Sequence, residues 1–159
     1  MTAKIDLFAA APQLMKEWQR AMIGLSGASS LEPRLTELVK LRASQINGCA
    51  NCLNLHVAEA RAVGETNQRI DLLAAWRDAP CYTDRERAAL GWTEALTRLC
   101  EGQDHEQAYA DLKAHFTDEE QVKLAVSINI INGWNRIAVG FGLWADPAAI
   151  KASAAEAAA

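Results

Sequence analysis

Apolar residues recur at three- and four-residue steps along most of the chain, with polar residues between them. That is the pattern of amphipathic helices. After a loose arm at residues 1–10, Pro12 fits a first helical turn, and Leu14, Trp18, Met22 and Leu25 place a first helix over about 11–25. Gly24 and the Ser-Gly-Ala-Ser-Ser run end it. Ser29 to Glu32 has capping-box spacing, Pro33 fits a first turn, and Leu35, Leu38, Val39 and Leu41 carry a second helix to about Asn47. Asn47-Gly48 is a turn signal. A third helix starts at or just after Cys49 and stops at Gly64, so the second and third form an αα-hairpin with its corner at Asn47-Gly48.

Downstream, Thr66 can cap a fourth helix through Ile70, Leu73 and Trp76, ended near Asp78 to Pro80. Thr83-Asp-Arg-Glu86 is a full capping box for a fifth helix through Leu90, Ala95 and Leu99, stopped by Gly102. Asp104 to His115 reads as a short sixth helix. Thr117-Asp-Glu-Glu120 opens a long seventh through Val122, Ala125, Ile128, Ile131 and Trp134. From Ile128 to Trp144 nearly every face is apolar, which predicts a subunit interface as well as a core. Residues 148–159 are an Ala-rich tail, read as a frayed helix or a disordered end. No strand-like alternation interrupts this series, so the expected class is all-α, in one domain spanning 1–159.

Composition narrows the function rather than the fold. A net charge of −4 over 159 residues argues against nucleic acid or an anionic membrane as the main partner. The longest apolar run carries Asn129, Asn132, Asn135 and Arg136, which would be costly in lipid, so no membrane span is expected. No secretory signal is legible, and the expected location is the cytoplasm, where thiols start reduced. A CxxC pair there is more often redox-active or metal-binding than a static staple.

Cys49, Cys52 and His56 follow one another at three- and four-residue steps, forming one stripe at a helix N-terminus. Unpaired N–H groups and the helix dipole favour a thiolate there, and His56 can take a thiol proton near neutral pH. Glu37, one helix earlier, can orient the imidazole or relay a proton. Two cysteines in reach can close a disulfide, one reducing an oxidant and the other resolving the sulfenate. These residues alone leave the order of the cysteines open: the helix end favours Cys49, the base one turn away favours Cys52.

Glu37, then Ser44-Gln-Ile-Asn-Gly-Cys49-x-x-Cys52-x-x-x-His56 and Ala60-Arg61, resembles the core of the AhpD-like alkylhydroperoxidase and carboxymuconolactone decarboxylase superfamily, over about residues 31–64. Thr83-x-Arg-Glu86-Arg-Ala-Ala-Leu, Thr117-Asp-Glu-Glu-Gln-Val and Asn132-Gly-Trp-Asn-Arg136 are similar to its single-domain members. The resemblance implies an AhpD-like helical bundle assembled into homotrimers or homohexamers. It also implies a thiol peroxidase that reduces small hydroperoxides and is recharged by a dithiol reductant, with no cofactor. By that likeness Cys52 attacks, Cys49 resolves, and His56 with Glu37 relays protons. One position departs: well-characterised peroxidases of the family carry histidine where this chain has Asn51, which hydrogen-bonds but does not shuttle protons near neutral pH.

Plainer readings stand beside these. Cys49, Cys52 and His56 supply three zinc ligands, with Glu37, His105 or His115 as a fourth, although structural sites usually pair two knuckles, and no resident metal is expected. Covalent haem would need histidine directly after Cys52, where Leu53 stands. His56 can be a satisfied core histidine, and Glu37 a surface partner of Lys40. Cys81 and Cys100 read as structural or incidental thiols, and His105 and His115 as solvated. Trp18, Trp76, Trp92, Trp134 and Trp144 read as core or interface within the helices. Arg136, among apolar residues, calls for an acidic or carbonyl partner at a subunit contact or near the site. The functional alternatives are a carboxymuconolactone decarboxylase-type lyase and a non-enzymatic, redox-sensing oligomeric module.

Overall fold

The computed structural model describes residues 3–102 and 105–145. Across them every regular element is helical: α1 (Leu7–Ala10), α2 (Pro12–Ala28), α3 (Pro33–Ile46), α4 (Ala50–Ala62), α5 (Asn67–Leu72), α6 (Asp84–Thr97), α7 (His105–His115) and α8 (Asp118–Phe141). Short 3-10 turns at Leu73–Ala75 and Leu99–Glu101 extend α5 and α6. The Ala-rich tail lies outside the described residues.

The local signals behave as chemistry requires. Thr83 and Thr117 each accept the N–H of the glutamate three residues on, while that glutamate accepts the threonine N–H. Thr66 caps α5 through the Arg69 N–H. The corner between α3 and α4 turns at Gly48, whose φ of +63° lies in the left-handed region that suits glycine.

Several boundaries and faces differ from expectation. The arm at 1–10 contains α1, because the Asp6 side chain accepts the Phe8 and Ala9 N–H groups. Helix α2 runs through Gly24 to Ala28. Its inward residues are Met15, Trp18 and Met22, whereas Leu14 and Leu25 are 68% and 45% exposed, so the apolar stripe read from the sequence is only partly buried. The spacing Ser29 to Glu32 does not make a capping box: Glu32 itself is the N-cap, without a side-chain capping bond, and Ser29 Oγ pairs with Ser127 Oγ at 3.3 Å. Helix α8 ends at Phe141, with Gly142 in the left-handed region, so Trp144 lies beyond the helix and is exposed.

Helix α3 is the spine. It supplies residues to all three hydrophobic clusters: Leu38 and Leu41 with Ala60, Leu73, Trp76 and Leu90; Leu35 and Val39 with Leu112, Leu124 and Ile128; and Ala43 with Cys49, Cys52, Ile131 and Ala138. A helix covered by α4, α6 and α8 buries residues around most of its circumference. Close approach of α2 to α8 needs Gly133, where a Cβ would meet the Trp18 ring at 3.3 Å. The third cluster places the cysteine pair against the last long helix.

Candidate active site

The hairpin corner delivers the cysteines. The Cys49 N–H donates to the Ser44 carbonyl at 3.0 Å, which turns the chain sharply into α4. Cys49 is the N-cap of α4, and its Sγ accepts the Cys52 N–H at 3.3 Å. The two side chains are joined as a disulfide, with Cα atoms 5.3 Å apart. Both are buried, at 1% and 4% exposure, on Ala43, Ile131 and Ala138.

Amides lock the corner to α8. Asn47 Nδ2 donates to Asn132 Oδ1 and to Asn135 Oδ1, each at 2.8 Å. Asn135 Nδ2 donates onward to Ser44 Oγ at 3.1 Å, and Asn132 Nδ2 to Thr97 Oγ1 at 3.0 Å. In the sequence Asn47 stood out as a turn signal, and Asn132 and Asn135 as polar residues in an apolar run and as part of the family-like Asn132–Arg136 stretch. Here they satisfy one another in the interior, as buried amides must.

One turn after Cys52, His56 Nδ1 lies 3.0 Å from Glu37 Oε2 and 2.9 Å from Glu59 Oε2. Glu37 is buried, and its other oxygen accepts from Lys40 Nζ at 2.7 Å. Glu37 therefore makes both pairings that the sequence offered, with His56 and with Lys40. Burial by itself would lower the His56 pKa, but the hydrogen bonds to Glu37 and Glu59, with the Glu37 charge, outweigh it and raise the pKa above the ordinary histidine value. Bonding to His56 holds the Glu59 carboxyl below its usual range, against the opposing effect of burial. A proton held on Nδ1 by these carboxylates leaves Nε2 as the basic nitrogen of the neutral ring.

The structure thus brings the predicted residues together as two couples on one hairpin, Cys49 with Cys52 and Glu37 with His56. Glu59 was overlooked as a partner, although its position three residues after His56 on a helix signals the contact. For a metal, the set to consider is Glu37, His56 and Glu59, whose ligand atoms lie within 4.8 Å of one another. The Lys40 ammonium already sits against Glu37, supplying positive charge there. His105 and His115 take no part in that cluster. His105 is half-buried, with Nε2 3.1 Å from the Ala95 carbonyl, and is not the solvated residue expected. Arg136 is exposed and donates to the Asn132 carbonyl at 2.9 Å, so its partner lies one turn back on its own helix.

On the other side of the cysteine pair a cavity of about 480 Å³ opens between the first turn of α4 and the end of α8. Its lining includes Cys49, Ala50, Asn51, Val139, Leu143 and Trp144. Asn51, at the position that departs from well-characterised peroxidases, accepts the Ala145 N–H at 2.7 Å, and Asn54 Nδ2 donates to the Ala145 carbonyl at 3.3 Å.

Against known families, the chain matches the carboxymuconolactone decarboxylase family over residues 12–95, a span that takes in the whole hairpin. The chain belongs to that family. Among its relatives, the uncharacterised YdfG of Bacillus subtilis is 37% identical over 142 residues, covering 89% of this chain and 96% of YdfG. A solved protein of unknown function from Agrobacterium tumefaciens, for which an AhpD antioxidant-defence role has been suggested, is 45% identical with a TM-score of 0.85, over 91% of this chain and 99% of that one. The debrominase Bmp8 shares the fold, with a TM-score of 0.76 at 18% identity over 89% of this chain and 77% of its own. This carboxymuconolactone decarboxylase family member is therefore an AhpD-like all-α protein with a CxxC pair at a helix N-terminus. Among the described residues no helix is long and apolar enough to cross a membrane.

Proposed function

We propose that the chain is a thiol-dependent peroxidase that reduces small hydroperoxides through a dithiol/disulfide cycle of Cys49 and Cys52. The observation that carries this reading is the bonded cysteine pair at the α4 N-terminus with the Glu37–His56 couple one turn away. In the reduced protein Cys52 is the attacking thiol. A protonated His56 lowers the cost of its thiolate, and the thiolate attacks the terminal peroxide oxygen. The O–O bond breaks, His56 supplies the proton to the departing alkoxide, and Cys52 becomes a sulfenic acid. Cys49 then attacks that sulfur, the S–S bond forms, and the hydroxyl leaves as water once protonated. Two electrons from a dithiol reductant, itself oxidised to a disulfide, restore both thiols. Glu37 holds the imidazole through Nδ1, and no cofactor or metal enters the cycle.

The subunit also fits a homotrimer or homohexamer. Leu14, Ile23 and Leu25 on α2, and Val122 on α8, are exposed apolar residues on two long helices. Stopped-flow thiol oxidation by cumene hydroperoxide and hydrogen peroxide, with mass spectrometry of the Cys49-containing peptide, tests the activity. Loss of two thiols per chain with an intramolecular disulfide is expected, and Cys52→Ser abolishes turnover. Full activity of Cys52→Ser under saturating reductant refutes the assignment. Turnover of a muconolactone by a Cys49→Ala/Cys52→Ala variant would replace it with the lyase reading.

A further inference from the structure

The cavity beside Cys49 has a wall that does not belong to the hairpin. After α8 stops at Gly142, the chain turns back over the start of α4, so Leu143 and Trp144 face the cavity opposite Ala50 and Asn51. Two side chains of α4 hold this strap by a single residue. Asn51 takes the Ala145 N–H and Asn54 gives to the Ala145 carbonyl, so both backbone groups of Ala145 are satisfied by α4. The clamp spans more than ninety positions of sequence and fixes one wall of the groove.

The lining is uncharged. Its residues are Gly48, Cys49, Ala50, Asn51, Ala138, Val139, Gly142, Leu143 and Trp144, and the exposed surface they present is mainly apolar. Such a lining suits a neutral ligand with a hydrocarbon or aryl body and gives an ionised carboxylate no counter-charge. About 480 Å³ holds a body the size of a substituted benzene. Cys49 lines it and is bonded to Cys52, so a ligand's polar end set against Cys49 lies beside the cysteine pair.

We infer that the Leu143–Ala145 strap, docked by Asn51 and Asn54, is the specificity wall of an apolar substrate pocket that selects aryl and alkyl hydroperoxides over hydrogen peroxide. Asn51 and Asn54 are positioning residues: they act through the strap and carry no electrons or protons in the reaction. The inference rests on the peroxidase reading for the identity of the reacting group, and on the cavity alone for the body it selects. Hydrogen peroxide has no apolar part to place against Val139 and Leu143, so the wall adds nothing to its capture.

The test is the ratio of second-order rate constants for thiol oxidation by cumene hydroperoxide and by hydrogen peroxide. In the unaltered protein it favours cumene hydroperoxide at least about tenfold, the discrimination expected of one small apolar pocket. Asn51→Ala/Asn54→Ala releases the strap, and the ratio falls about tenfold. Val139→Trp fills the groove from the exposed face of α8 and lowers the ratio without touching the clamp. A general loss of structure would slow both peroxides together, so an unchanged ratio in both variants overturns the inference. So does a Val139→Trp protein that changes oligomeric mass while keeping the ratio, since that outcome gives the groove to a second copy. If neither peroxide oxidises the thiols, the peroxidase reading fails, and the pocket is decided separately by calorimetry with cumyl alcohol. Binding to the disulfide form that weakens about tenfold in Asn51→Ala/Asn54→Ala upholds the pocket, and no binding to the unaltered protein overturns it.

Discussion

Asn135→Ala tests how firmly the cysteine-bearing corner is held. Asn135 is fully buried, accepts from Asn47 at 2.8 Å and donates to Ser44 Oγ at 3.1 Å. Alanine removes both bonds, each worth about 1 kcal/mol net. It also leaves the buried Ser44 hydroxyl without this donor and opens a small cavity, while Asn47 keeps its bond to Asn132. Together these give a loss of roughly 2–4 kcal/mol. Urea unfolding of the disulfide form at fixed protein concentration reads it as a lower midpoint with an unchanged slope. A double-mutant cycle with Asn47→Ala isolates the bond between the two amides, with an expected coupling of about 1 kcal/mol. A loss below about 0.5 kcal/mol for Asn135→Ala, or additivity within about 0.3 kcal/mol in the cycle, would show that the amide network does not anchor the corner.

Because His56 is raised in the folded chain, its contribution to stability is full below the unfolded histidine pKa and fades as pH rises through the folded one. Glu37→Gln should move the NMR titration of the His56 ring to lower pH and reduce that fading; an unshifted midpoint would mean that the contact does not set the pKa. Glu94 behaves oppositely. Burial alone would raise it, but hydrogen bonds from Trp76, Arg77 and Arg42 outweigh that and lower it. Its contribution is therefore present above the unfolded carboxyl pKa and lost as pH falls through the folded one, and Glu94→Gln should cost about 2–4 kcal/mol near neutrality, with a smaller penalty in acid. Two glycines should differ in sign by urea unfolding. Gly48→Ala, at φ +63°, costs about 1 kcal/mol, whereas Gly24→Ala, inside α2 with open space around it, gains about 0.5–1 kcal/mol.

Much of the hairpin was legible because its chemistry is local. The Cys49, Cys52 and His56 spacing implies one face of one helix, and Asn47-Gly48 implies a corner. Glu37 remained open between Lys40 and His56, since a three-residue step is written in the sequence and a contact across a hairpin is not. Arg136 has the carbonyl partner expected of it, but one turn back on its own helix, because apolar neighbours along the chain do not say which way a side chain points. On α2, Leu14 and Leu25 have the right spacing for a buried stripe, but the rotation that seats Trp18 over Gly133 leaves them outside.

The sequence by itself determined the all-α class, the threonine caps at positions 66, 83 and 117, the hairpin and the reactive stripe. Each depends on hydrogen bonds and side-chain spacing within a few residues. Only the tertiary structure decided that Glu37 meets both Lys40 and His56, that Asn132 and Asn135 hold the corner, and that Asn51 and Asn54 fasten the strap beside Cys49. Those contacts join residues up to ninety-four positions apart. They depend on how each helix is rotated and stacked when the whole core is packed, and no short stretch of residues carries that information.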